Sequence, residues 1–127
     1  MSTAVSAERV SLTLIDGNIV ATVQIDLVGE ILRQFGADVL ATIERTRARA
    51  LLIDLSSIHV MDVRDFEALR GVAKMAALMG TRTILVGLRP GVAANLTELN
   101  AETSGLMTTR TVEHALAVLN AQAEDAS

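Results

Sequence analysis

The chain has 127 residues and a formal net charge of -4; half of it is hydrophobic, 2% is aromatic and none is cysteine. A single domain of this size buries enough aliphatic surface to fold without staples, and disulfides and thiolate metal sites are excluded. With no Trp or Tyr to stack bases, an acidic balance and no run of Lys or Arg, the composition also argues against nucleic acid as a partner.

Residues 1–9 read as a flexible N-terminal tail, 10–123 as one domain and 124–127 as a frayed C-terminal tail. VSLTLID, from Val10 to Asp16, alternates apolar and polar residues as a half-buried strand does. Gly17-Asn18 reads as a hairpin turn, and IVATVQI from Ile19 gives the returning strand. Val28, Leu32, Phe35, Val39 and Ile43 then recur at helical spacing. Asp26 is the expected N-cap of that helix, and Gly36 weakens it by about 1 kcal/mol relative to Ala.

Ala50–Leu55 is a nearly continuous apolar run, the pattern of a strand buried on both faces. A helix follows from Asp62 to about Met79, and Gly80 suits its C-terminal turn. Thr81–Gly87 is another buried strand. Pro90 opens a short helix through about Leu99, GLMTTRT holds a last edge strand, and Val112–Ala123 is a final amphipathic helix. Alternating strands and helices imply right-handed crossovers. The predicted fold is therefore α/β, a mostly parallel sheet made mixed by its opening hairpin.

Tests for chemistry return little. His59 and His114 are far apart in sequence, and neither has a ligand partner at i+3 or i+4; they read as loop and helix-surface residues. No phosphate-binding glycine loop is present. GLRPG does set Arg89 beside a helix start, a weak candidate for an anion site, although Gly and Pro serve there as turn punctuation. Asp62 and Asp65 have ordinary capping spacing, and no local motif joins a serine to a histidine. No catalytic residue, cofactor or metal is assigned. No apolar run approaches the roughly 18 residues that span a bilayer, and the first ten residues lack a secretory pattern. The expected location is cytoplasmic, without membrane insertion.

The helix after Asp62 is uneven. Its first half carries Arg64, Asp65, Glu67 and Arg70, whereas Val72–Met79 has Lys74 as its only polar residue. A helix apolar all round is buried on more than one side, and Met75 and Met79 suit an adaptable protein-binding surface. The alternative is that Ala73, Ala76 and Ala77 are simply good helix formers. Both readings stay open on the sequence.

LLIDLSSIHVMD, followed by a helix ending in ALMGTRTILVGLRPGVAANLTEL, resembles the STAS domain, and within it the small single-domain scaffold proteins of bacterial stressosomes and anti-sigma-factor antagonists. The resemblance runs from Val10 to Ala121 and is densest over Leu51–Leu99. It implies a mixed sheet with about four helices, mainly on one face. It also implies a non-enzymatic module that docks on larger STAS-domain paralogues and a serine/threonine kinase of the anti-sigma type, as a homo- or hetero-oligomer. The implied docking loop and helix comprise Asp62, Val63, Arg64, Asp65, Phe66, Met75 and Met79. In the family a Ser or Thr directly after the aspartate accepts phosphate, and some members use a second Thr after the GxxP turn. Here those positions hold Val63 and Asn95, so the switch is not carried over. Two alternatives fit the chain: a cytosolic STAS subunit of a lipid-transport ABC complex, and a small-molecule or nucleotide sensor using Arg89.

Overall fold

A computed structural model describes residues 10–98 and 106–126. Its elements in chain order are β1 (Val10–Ile15), β2 (Asn18–Val23), α1 (Gly29–Thr46), β3 (Ala50–Asp54), α2 (Val63–Leu78), β4 (Arg82–Val86), α3 (Pro90–Glu98), β5 (Met107–Thr109) and α4 (Val112–Ala126). The strands lie in the order β1-β2-β3-β4-β5; β1 and β2 are antiparallel and the other pairs parallel.

Each parallel strand is added on the same side of the last. Right-handed crossovers of that kind put the connecting helices on one face. Leu32, Phe35, Val39 and Ile43 of α1, Phe66 and Leu69 of α2, and Val92 and Leu96 of α3 join one core with Ile19, Ala21, Val23, Leu51, Ile53 and Leu85. The α4 helix follows the last strand and is free to cross to the other face. There Ala115, Leu116 and Leu119 pack on Val20, Leu52, Ile84 and Val86. The central strand β3 is thus covered on both sides, which is why its sequence is apolar without alternation.

Four sequence expectations shift. The hairpin turn is Asp16-Gly17, both with positive φ, and Asn18 is a buried residue of β2. Two side chains hold the turn by donating to the Asp16 carbonyl: Asn18 Nδ2 at 3.3 Å and Arg49 Nη2 at 2.9 Å. Asp26 does not cap α1; the cap position is Val28, with no side-chain bond. Gly29 turns there with a φ of +48°. Gly36 is not idle: a Cβ at that position would lie 3.0 Å from Val72 Cγ2, so the glycine lets α1 and α2 approach closely. Finally, α4 runs through Ala126, past the helix end expected at Ala123. Arg82 of β4 donates to Gln122 there and holds those last turns on the sheet. The N-terminal tail and the expected helix end at Leu99 lie outside the described residues.

Candidate functional site

Every helix that follows a parallel strand starts at the carboxyl end of the sheet, where open α/β folds place their sites. The loop between β3 and α2 is anchored there. Ile58 and Met61 are buried, and the Leu55 amide donates to the Val86 carbonyl at 2.8 Å. The Ser56 amide donates to Asp54 Oδ1 at 3.0 Å. Asp62 Oδ1 accepts from the Asp65 amide at 2.8 Å, satisfying one of the free donors of the α2 start.

The neighbouring connections clasp this loop. Gly87 has a φ of +69°, and a Cβ on it would sit 2.9 Å from Ser56 Cβ. Only glycine lets the end of β4 run so close at that backbone angle. Arg89 Nε donates to the Ser56 carbonyl at 2.9 Å, and Asn95 Nδ2 to the Met61 carbonyl at 3.3 Å. Positions 63 and 95, distant in sequence, are therefore drawn to one end of the molecule.

Asp62 and Arg64 are exposed, and Val63 and Asp65 half-buried, so the α2 start presents a mixed surface. Burial and the nearby Asp62 charge push the Asp65 carboxyl up from its ordinary value. Phe66 does not belong to that surface: it is 1% exposed and fills the core beneath the loop, so its part is to position the helix. Met75 and Met79 are accessible, at 53% and 44%. They start 12 residues beyond Val63, about 18 Å along the helix. The single docking set expected from the sequence is thus two patches, one at each end of α2.

Beyond Met75 and Met79 the fold leaves five large apolar residues outside among the described residues: Leu78 at 89%, Val60 at 66%, Leu14, Ile15 and Val28, the last of which helical spacing puts on the apolar face of α1. Leu78 carries a signal in the sequence, since it belongs to the apolar second half of the helix. Val28 and Val60 carry none, because each sits beside a helix start in a pattern shared with buried residues.

Arg89 opens onto a groove of about 930 Å³ at the same end of the sheet. His59, Arg110 and His114 also line it, with Ser56 and Thr108. The two histidines, 55 positions apart in sequence, are brought to one site. Among the described residues no three His, Cys, Asp or Glu side chains are grouped so as to hold a metal ion.

Comparison with known proteins follows the same lines. The family model of the STAS domain matches residues 9–115. The serine-to-glutamate variant of RsbS from Moorella thermoacetica is 28% identical, with a TM-score of 0.79 over 91% of this chain and 98% of that one. A chain of the stressosome, described as a signal integration and transduction hub, is 26% identical, with a TM-score of 0.71 over 88% and 97% of the two chains. The anti-sigma factor antagonist SpoIIAA in its unphosphorylated form is 17% identical over 88% and 96%, with a TM-score of 0.71, a likeness of fold. Among curated protein sequences nothing matches. The mixed five-stranded sheet, its four described helices and the matched segment agree: the chain belongs to the STAS domain family.

Proposed function

We propose that the chain is a non-enzymatic protein–protein interaction module, a stressosome-like scaffold or anti-sigma-factor antagonist in bacterial stress signalling, acting in the cytoplasm. The observation that carries this reading is the likeness to RsbS, which spans nearly the whole of both chains at 28% identity. The anion transporter SLC26A9 is 18% identical over 87% of this chain, a likeness of fold alone. No described helix is long and apolar enough to cross a membrane.

The α2 start is the docking surface in this reading, and its switch is absent. Val63 is the first residue of the helix, where the family phosphoacceptor stands, and valine has no oxygen to phosphorylate. Asp65 adds a charge nearby, but a carboxylate supplies about one charge where phosphate supplies nearly two and three acceptor oxygens. The protein therefore binds its partners constitutively, like an unphosphorylated family member. A paralogue with a working acceptor supplies the regulation.

A tagged pull-down from the native host tests this, with the eluate sized by light scattering and its components identified by mass spectrometry. The expected result is a large particle holding larger STAS-domain paralogues and a serine/threonine kinase, with Val63→Ser gaining phosphate from that kinase. Recovery of an ATPase and a membrane permease instead would overturn the reading. Stoichiometric phosphate on Ser56 or Ser57 of the native protein would overturn the constitutive part of it.

A further inference from the structure

A second cavity, of about 320 Å³, lies along the later turns of α2, against β4 and the entry to β5. Its first α2 residue, Arg70, is seven positions beyond Val63, about 10 Å along the helix. β5 pairs only with Ile84–Val86, so Arg82 and Thr83 of β4 lie before its first partner and line the cavity instead. Ala73 and Ala77, one turn apart on α2, have side chains too short to close the gap.

Arg70, Lys74 and Arg82 line this cavity, and no acid does. Arg70 Nη1 pairs with Glu67 Oε1 at 3.0 Å. Among the described residues Lys74 and Arg82 form no ion pair. Arg82 donates to Gln122 Oε1 and lies 3.8 Å from Met107 Sδ, both neutral groups. Glu124 and Asp125 follow Gln122 on α4 but do not line the cavity. Arg70 and Lys74 stand four apart on α2, a like-charge spacing that weakens a helix. Two cations are thus left without a counterion in a chain of net charge -4.

Surface cations are ordinarily left to water, but a buried hydroxyl is not. Thr83 is 9% exposed, and its Oγ1 is the one buried side-chain polar atom among the described residues that has no hydrogen-bond partner. Leaving such a group unpaired is unfavourable. The unpaired hydroxyl and the uncompensated cations belong to the same cavity, and a hydroxyl can donate to an anion as they do.

We propose that this cavity binds a phosphate dianion, either free or as the monoester of a small molecule. Lys74 and Arg82 supply charge-assisted donors, Arg70 adds a cation already shared with Glu67, and the Thr83 hydroxyl donates to a phosphate oxygen. The volume is at the small end of the roughly 300–1,000 Å³ usual for ligand sites. Leu106 and Met107 give an ester carbon an apolar wall. No aromatic residue lines the cavity, so a nucleobase has no ring to stack on. The site stands apart from the α2 start and does not rest on docking there.

Titration of the purified full chain, followed by the amide chemical shifts in NMR, tests this at constant ionic strength in chloride. The probes are inorganic phosphate and n-butyl phosphate. Saturable shifts centred on Lys74, Arg82 and Thr83 are expected. Equal affinity for the two probes assigns the cavity to free phosphate, and tighter binding of butyl phosphate assigns it to a monoester. Lys74→Gln and Arg82→Gln should each weaken binding about tenfold. Thr83→Val keeps the shape of the side chain and removes the hydroxyl. It should weaken binding, yet without phosphate it should resist heat at least as well as wild type, a combination that a packing role would not give. No saturable shift with either probe, shifts centred on Arg89 and Arg110, or undiminished binding by Lys74→Gln or Arg82→Gln overturns the proposal. Undiminished binding by Thr83→Val, or a loss of heat resistance in it without phosphate, overturns the role given to the hydroxyl.

Discussion

The two ends of α2 are built on opposite plans. Its start is held by long-range bonds. Asp62 caps it, Phe66 and Leu69 are sunk in the core, and Arg89 and Asn95 tie the preceding loop to the next connection. Its far end leaves Met75, Leu78 and Met79 in solvent, and nothing in the fold requires their apolar character. Structure explains the residues at the first end. At the second, burial within the chain does not explain them, and contact with another protein would.

The comparison can be broken by substitution. Phe66→Ala should have the largest effect, a loss of about 3–5 kcal/mol of stability by urea denaturation, because it empties the core under the loop between β3 and α2. A loss below 1 kcal/mol would mean that Phe66 does not hold the start of α2. Asp62→Ala should cost about 1 kcal/mol, the worth of an N-cap; an unchanged urea midpoint would show that the cap is dispensable.

At the other end, Leu78→Ser should change stability by less than about 0.5 kcal/mol. Joined with Met75→Ser it should nevertheless reduce capture of partners from host extract. Full capture by the double variant would assign the apolar end no role. The smallest effect is one of pH. The folded chain raises the Asp65 carboxyl above its ordinary value, so it holds that proton more firmly than the unfolded chain does. The corresponding stability is present in full below the ordinary carboxylate pKa and is lost as pH rises through the raised one. Glu30, lowered chiefly by its bond from Arg33, tilts the other way: its contribution is lost as pH falls. Urea midpoints followed across the carboxylate range should therefore change slope in Asp65→Asn relative to wild type. An unaltered slope would show that Asp65 is no warmer to its proton than a free aspartate.

Much of this was legible in the residues. The cap at Asp62, the glycine after α2 and the proline opening α3 are local signals, and each stands where it was expected. Asp26 misled because a good capping residue gives no hint that Gly29 will turn the chain after it. Gly36 misled in the other direction: propensity counts its cost within α1 but cannot see Val72 on the neighbouring helix. The exposure of the proposed docking residues was partly legible. A stripe of mixed residues at a helix start marks a surface, but helical spacing alone did not say that Phe66 faces inward while Met75 and Met79 do not.

By itself the sequence determined the class of fold, the order of its elements and that a valine stands at position 63. These depend on hydrophobic period, on turn and cap chemistry, and on the identity of single residues, all of which act over a few positions of chain. Only the tertiary structure decided that α4 crosses to the opposite face, that Gly36 lies against Val72 of α2, and that His59, Arg89, Arg110 and His114 line one groove. Those arrangements depend on contacts between distant segments, such as the bonds that join residues 33 and 34 positions apart across the sheet end. Such contacts follow from how the helices pack, which no short stretch of sequence contains.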